Sequence, residues 1–194
     1  MQHLPMRAAR RRGFTLVELV VVMVVMGILG AIGAARFFDR KAFDAVEFAD
    51  QAKAMLRYAQ KVAIAQNRPV FVRLDGAGIA LCFNLDVDAG CGAANRLIPA
   101  AGFNDQGSAT LAACQQQSAW YCIGVPAGLA YALAPAAAYI APRNYFYFDA
   151  QGKPYSATDT VGNDASTFSP LLIRITGDGT NHDVTVEQET GYVH

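Results

Sequence analysis

The pattern of hydrophobic and polar positions changes abruptly near the start of the chain. Residues 1–13 contain four arginines and no acidic residue, whereas residues 14–35 are an apolar run in which Glu18 is the single charge. At about 1.5 Å per residue, this run would span roughly 33 Å, which is close to the ~30 Å hydrocarbon core of a bilayer. The pattern therefore predicts a membrane-spanning helix over residues 14–35.

A helical pattern continues over residues 36–66, which contain neither glycine nor proline. Apolar positions recur at helical spacing and form one stripe: Ala45, Phe48, Ala49, Ala52, Met55, Leu56, Ala59 and Ala63. Charged positions lie on the opposite side: Arg40, Glu47, Asp50, Arg57 and Lys61. The stripe is rich in alanine and lacks a regular leucine or isoleucine heptad, which favours packing on a sheet over a coiled coil. We therefore expect one long helix over residues 14–66 with an amphipathic second half.

Beyond Pro69 the apolar period shortens to that of β-strands. Alternating segments separated by short glycine-containing turns predict two hairpins and one further strand: 69–74 with 79–83, 171–176 with 183–188, and 144–149. The connections over 84–143 and 150–169 read as long loops, with a possible short helix near 127–142. The pattern predicts an α+β fold in which one long helix packs on an antiparallel sheet of about five strands.

The distribution of charge sets an orientation for the predicted membrane helix. The arginines of residues 1–13 favour a cytoplasmic N-terminus by the positive-inside rule, which would place residues 67–194 on the opposite side of the membrane as a β-rich headpiece. A cleaved signal peptide, cut near residues 33–35, is the simpler alternative, but the apolar run is longer than such peptides usually have. An uncleaved anchor would leave Glu18 unexplained, because a carboxylate within lipid is costly.

Composition and charge also limit the partners of the headpiece. Hydrophobic residues make up 53% of the chain and charged residues 16%, which supports a sizeable core. Residues 67–194 carry six basic and eleven acidic residues, so nucleic acid is an unfavourable partner. Four aromatic residues could stack bases, although aromatic residues in strands more often belong to a core: Trp120, Tyr121, Tyr145 and Tyr147.

The four cysteines lie in the segment that we place outside the cytoplasm, where disulfides form. Three pairings are open, and we prefer Cys82–Cys91 with Cys114–Cys122 because these bonds close short loops. A zinc site is less favoured, since there is no Cys-x-x-Cys motif and the three histidines are scattered.

Other candidate chemistry is weak in this sequence. The acidic residues Asp86, Asp88, Asp178 and Asp183 do not complete the spacing of a calcium loop. The sequence contains no nucleophile-elbow or phosphate-loop motif. We therefore predict no metal, no cofactor and no enzymatic activity.

A specific motif occupies the border between the basic and apolar segments. Residues 10–18 read Arg-Arg-Arg-Gly-Phe-Thr-Leu-Val-Glu, which resembles the cleavage and methylation motif of type IV prepilins and type II secretion pseudopilins. The resemblance implies that a membrane prepilin peptidase removes residues 1–13 by cutting after Gly13 and methylates the new N-terminus at Phe14. It also implies a pilin-like lollipop shape and places the assembly glutamate of the family at Glu18.

A physical role for Glu18 follows from the predicted cut. Cleavage at Gly13 would create an ammonium group four residues before Glu18, inside an otherwise apolar segment. An unpaired carboxylate in lipid favours association with an opposite charge. We expect pairing between neighbouring subunits to drive assembly and to set their register.

Further segments of the sequence resemble one group within this family. The minor pseudopilin H group and the minor pilins of mannose-sensitive haemagglutinin pili are similar to this chain in four segments: 55–60, 63–66, 146–152 and 184–193. That group often ends in a strand bearing Gly-Arg, whereas this chain has Gly191 followed by Tyr192.

These observations predict a minor pilin or pseudopilin, a structural subunit that helps to initiate or assemble a type IV pilus or type II secretion pseudopilus. The implied partners are the prepilin peptidase, other major and minor pilins or pseudopilins, the assembly platform and lipid of the bacterial inner membrane. The chain would cross that membrane once, with a periplasmic headpiece, before entering the filament. The alternative is a membrane-anchored periplasmic binding module that does not polymerise, and a subunit of a DNA-uptake pilus is a minor variant.

Overall fold

The structure is a computed structural model that describes residues 14–37, 40–85, 91–139, 144–177 and 179–194, with side chains apart from those of residues 32–37, 40 and 139. The chain divides into two compact units, Met1–Arg40 and Lys41–His194. The second unit contains residues 41–66 in addition to the predicted headpiece of residues 67–194, and from here on we use the word headpiece for the whole unit. It is an α+β domain in which a helix packs on antiparallel strands. This arrangement confirms the predicted fold class.

Two long helices occupy the first third of the chain, α1 over Leu16–Phe37 and α2 over Arg40–Gln66. The predicted continuity of a single helix depends on residues 38–39, which lie outside the described residues. Helix α2 ends at Asn67, whose φ of 48° is left-handed, and the N–H of Arg68 donates to the carbonyl of Ala63. A short helix α3, Ser108–Ala113, and two 3₁₀ turns, Ala93–Asn95 and Ala136–Tyr139, follow in the headpiece.

The described residues form eight strands in two antiparallel sheets rather than the predicted single sheet of about five strands. The five-stranded sheet has the order β3-β2-β1-β5-β6, and the three-stranded sheet has the order β4-β7-β8. The bounds are β1 Val70–Leu74, β2 Gly78–Cys82, β3 Cys122–Gly124, β4 Ala130–Ala134, β5 Tyr145–Phe148, β6 Pro154–Ser156, β7 Leu171–Thr176 and β8 His182–Val186.

The two predicted hairpins and the predicted aromatic strand are present. Strands β1 and β2 pair with Phe71 opposite Cys82, and β7 and β8 pair with Ile173 opposite Val184. The first turn is fixed by Asp75, whose Oδ1 accepts hydrogen bonds from the N–H groups of Ala77 and Gly78. Hairpin chemistry is local, so sequence pattern alone located these elements to within one or two residues.

The core of the headpiece lies between α2 and both sheets. Every member of the predicted apolar stripe of α2 is buried, from Ala45 to Ala63, and Val62 joins them. Strands contribute Val70, Val72 and Phe146 from the first sheet and Ile173 from the second. The alanine-rich stripe of α2 therefore shares one buried core with residues of both sheets, and this confirms the predicted packing of the helix on the strands.

A second buried cluster covers the opposite face of the five-stranded sheet. It contains Trp120, Tyr147, Tyr155 and all four cysteines, and Trp120 has no exposed surface. The Nε1 of Trp120 donates to the carbonyl of Leu81 at 2.9 Å, which satisfies the polar atom of this buried ring. The first sheet is therefore covered on both faces.

Candidate processing and assembly segment

The first turn of α1 is organised by Thr15, which immediately precedes the helix. Its Oγ1 accepts a hydrogen bond from the backbone N–H of Glu18 at 3.2 Å, and its carbonyl accepts one from the N–H of Leu19 at 3.2 Å. This is the geometry of an N-cap, in which a side-chain oxygen satisfies a backbone donor that the helix leaves free. The helix therefore starts at a defined residue, two positions after Phe14.

Glu18 lies exposed in this first turn. Its carboxylate is near the positive end of the helix dipole, which is a favourable place for an acid. No ion pair among the described residues includes it.

The predicted cleavage site lies at the edge of the described chain. Gly13 is outside the described residues, and Phe14 is 80% exposed.

Helix α1 has no polar face over its described side chains. All side chains from 14 to 31 are exposed, and most of them are large and apolar, such as Leu16 at 79% and Met26 at 70%. A helix that is hydrophobic all round belongs in a core or in lipid. The described part of the chain covers none of these side chains, so the apolar surface of α1 suits an apolar environment outside it.

Within the described part of the chain, no helix meets both the length and the hydropathy that a membrane crossing requires.

The cysteines form two disulfides, Cys82–Cys91 and Cys114–Cys122, with Cα atoms 5.9 Å apart in each. These are the two short-loop bonds preferred among the three pairings. The second bond joins the end of α3 to the start of β3, and Thr110 of the same helix accepts a hydrogen bond from the N–H of Gly124 at 2.9 Å. The long connection between β2 and β4 is thereby attached to the first sheet.

The candidate base-stacking residues are mainly structural. Trp120 and Tyr147 are buried, and the ring of Tyr147 stacks on Tyr155 at 5.2 Å. Tyr121 and Tyr145 are half-buried; Tyr121 packs edge-on against Tyr58 of α2. The structure provides no row of exposed aromatic faces within the described residues.

Of the candidate calcium ligands, the structure describes Asp183 alone. Asp86, Asp88 and Asp178 lie outside the described residues. Asp183 pairs with Arg174 across β7 and β8 through two hydrogen bonds of 2.9 and 2.7 Å. Hydrogen bonding from Arg174 lowers the pKa of the Asp183 carboxyl, so Asp183 already has a cationic partner.

Two features of the structure lie beyond the predictions made from the sequence. The first is the N-cap of α1, although Thr-x-x-Glu at residues 15–18 is a recognisable capping pattern. The second is a clamp on the C-terminal segment: the guanidinium of Arg57 donates twice to the carbonyl of Val193, at 3.0 and 2.8 Å. No local signal pairs residues so far apart in sequence.

A family model described as the prokaryotic N-terminal methylation motif matches residues 8–34 of the chain. Residues 8–34 carry that motif. The match spans the end of the basic segment, the capped helix start and most of the apolar run, and it confirms the resemblance noted in the sequence. Comparison with curated proteins gives no match.

Among solved structures, the chain is similar to the type IV minor pilin FimU of Pseudomonas aeruginosa, with 16% identity, coverage of 79% of this chain and 89% of that chain, and a TM-score of 0.48. It is also similar to the minor pseudopilin EpsH from the type II secretion system of Vibrio cholerae. There the identity is 16%, the coverage is 78% of this chain and 94% of that chain, and the TM-score is 0.45.

Proposed function

We propose that the chain is a minor pilin or pseudopilin, a non-enzymatic subunit of a filament that is assembled at the bacterial inner membrane. The observation that carries this proposal is the methylation motif at residues 8–34, which contains most of α1, a helix whose described apolar side chains are all exposed. A subunit whose N-terminal helix enters a filament core needs such a surface. The self-contained core of the headpiece supports a separate role for that unit.

The motif indicates the processing step. A prepilin peptidase cleaves the peptide bond after Gly13 and methylates the amine of Phe14. Because Thr15 caps the helix, Phe14 stands just outside the helical hydrogen bonds, where a new ammonium group has no backbone partner of its own.

The ammonium group created by cleavage explains why the apolar segment contains the carboxylate of Glu18. Before cleavage, the carboxylate lies in an apolar segment without a cation, and after cleavage each subunit carries one ammonium group and one carboxylate. Within one helix both groups sit at the positive dipole end, which favours the carboxylate and disfavours the ammonium group. Pairing the ammonium group with Glu18 of a neighbour neutralises both charges and sets the stagger between helices.

Membrane anchoring is part of this proposal. Residues 14–35 cross or enter the inner membrane with the basic residues 1–13 on the cytoplasmic side. The headpiece then lies in the periplasm, which suits its two disulfides. Lipid holds α1 before assembly, and the assembly platform and other pilins or pseudopilins replace that lipid afterwards.

The test is the state of the full chain in cells that produce its filament. We expect the chain to be recovered in sheared or purified filaments and to crosslink to another pilin or pseudopilin through a photo-reactive residue placed at Val21 of α1. A chain that stays in the membrane fraction and crosslinks only to lipid at Val21 would contradict the proposal and favour a binding module that does not polymerise.

A further inference from the structure

One side of α2 borders an apolar depression that the headpiece core leaves open, which we call the socket. It is a cavity of about 260 Å³ whose walls include Tyr58, Pro99, Phe103, Tyr121 and Ile123. Phe103 is 56% exposed, and the rings of Tyr58 and Tyr121 meet edge to face with centroids 5.1 Å apart. The socket is therefore large enough for one bulky side chain. Its aromatic and aliphatic lining is partly exposed to water, and a side chain bound there would bury that apolar surface.

The loop that carries Phe103 is held rigidly from beneath. The next residue, Asn104, is 7% exposed, and its amide donates to the carbonyls of Gln117 and Trp120 at 3.0 and 3.4 Å. Its backbone N–H donates to the carbonyl of Ser118 at 2.7 Å. A preformed wall reduces the entropy that binding would otherwise cost.

Three carboxylates stand beside the socket. Asp44, Glu47 and Asp105 line a smaller cavity of about 140 Å³, and Asp105 and Gln51 line both cavities. Glu47 accepts a hydrogen bond from Gln51, and Asp105 accepts one from the N–H of Gly107. No ion pair formed by the described residues includes any of these carboxylates, and Lys41 on the preceding turn does not pair with them.

Asp44, Glu47 and Asp105, which we call the rim, form no ion pair with the described residues and border the apolar socket. This combination determines which kind of group can bind there. Phosphate groups of nucleic acid or lipid are repelled by the three carboxylates. A protein segment with a bulky apolar side chain fills the cavity, and lysine or arginine near that side chain pairs with the rim. Interface hot spots have this arrangement, with a buried anchor inside a polar border that excludes water.

We propose that the socket docks a neighbouring filament subunit through one aliphatic or aromatic side chain that has lysine or arginine within about one helical turn of it. This inference rests on the proposed function, because it takes the occupant to be another subunit. It adds a lateral contact between headpieces to the contact that α1 provides. The carboxylates of the rim orient the docking subunit and raise its association rate, whereas burial of its side chain in the socket provides most of the affinity.

The experiment places a photo-reactive phenylalanine analogue at Phe103 of the full chain, in cells that produce the filament. A second probe at Val161, which is 51% exposed in a different loop, is the positional control. We expect a single protein adduct from position 103, with lysine or arginine within about four residues of the crosslinked site. The double change Glu47→Lys and Asp105→Lys should lower its yield roughly tenfold.

The control is Asp50→Lys, which reverses one charge, against two in the double change, at an exposed position of α2 that lines neither cavity. It should leave the yield unchanged. The inference is overturned if the adduct survives the rim reversal, if Asp50→Lys lowers it equally, if the crosslinked segment lacks a basic residue, or if position 103 gives no protein adduct while the Val21 probe still crosslinks to a pilin. Loss of the Val21 adduct would instead overturn the proposed function.

Discussion

Glu18 combines a backbone contact at the start of α1 with a proposed role in assembly. Its backbone N–H is bound by Thr15, so the start of α1 is fixed whatever its side chain does. Its carboxylate forms no ion pair with the described residues. The role of Glu18 in capping should therefore be separable from its role in pairing.

Replacing Glu18 with Gln tests this separation. The variant keeps the backbone hydrogen bond to Thr15 and should be processed normally, because the cut site precedes it. We expect its recovery in filaments to fall at least roughly tenfold, since one unpaired ammonium group per subunit would remain in an apolar setting. Immunoblotting of membrane and filament fractions measures the ratio, and undiminished incorporation would refute the pairing role.

Arg174 and Asp183 provide a prediction of pH dependence in the headpiece. Hydrogen bonding from Arg174 lowers the pKa of Asp183, so the pair contributes stability above the ordinary aspartate range and loses it as the pH falls below about 4. In Arg174→Gln, the pKa of Asp183 should rise towards its ordinary value. Carboxyl NMR titration checks the change, and an identical titration in both proteins would contradict it.

At the scale of elements, α2 was predictable because its stripe repeats with helical period, and both hairpins were predictable because their turns are local. Three strands were missed. Strand β3 has three residues, β6 begins with proline, and β4 reads Ala-Tyr-Ala-Leu-Ala, which is rich in a residue of low β-propensity. These strands depend on long-range pairing, such as Leu133 of β4 opposite Ile173 of β7, which a single-sequence pattern does not reveal.

The residues of the candidate sites also differ in whether the sequence alone reveals them. Phe14 and Glu18 belong to a contiguous motif, so the sequence alone is enough to predict roles for them. The socket combines α2 with the loop that carries Phe103 and with β3, and sequence spacing does not indicate that these segments meet.

Packing of α2 can be tested with two alanines on different sides of the helix. Ala52 is fully buried and Ala54 is exposed. Ala52→Leu should lower the free energy of unfolding by about 1–3 kcal/mol, because the added atoms have no space against the sheets. Ala54→Leu should change it by less than about 0.5 kcal/mol. Urea unfolding of the full chain in detergent measures both, and equal effects would contradict the packing.

At the scale of the molecule, the two units differ in how much of their apolar surface they bury. The headpiece buries its own apolar surface between α2, two sheets and a second cluster. The described part of α1 buries none of its side chains within the chain. Folding of the headpiece and assembly through α1 should therefore respond to different substitutions.

The disulfides should affect the headpiece alone. Removing Cys114 and Cys122 together, each as serine, should lower the free energy of unfolding by about 2–3 kcal/mol, given the sequence separation of 8 residues. Processing at Gly13 should be unchanged. Denaturant unfolding and the mature mass report these two effects, and a lost cleavage with unaltered stability would contradict the separation of the units.

The mass of the mature N-terminus is the most direct test of the account, because the proposed pairing of the Phe14 amine with Glu18, and the assembly that follows from it, depend on that cleavage. Mass spectrometry of the chain purified from membranes should give an N-terminal peptide that begins with methylated Phe14, and Gly13→Ala should accumulate the uncut form. A mature chain that keeps Met1, or that begins after residue 35, would contradict the account.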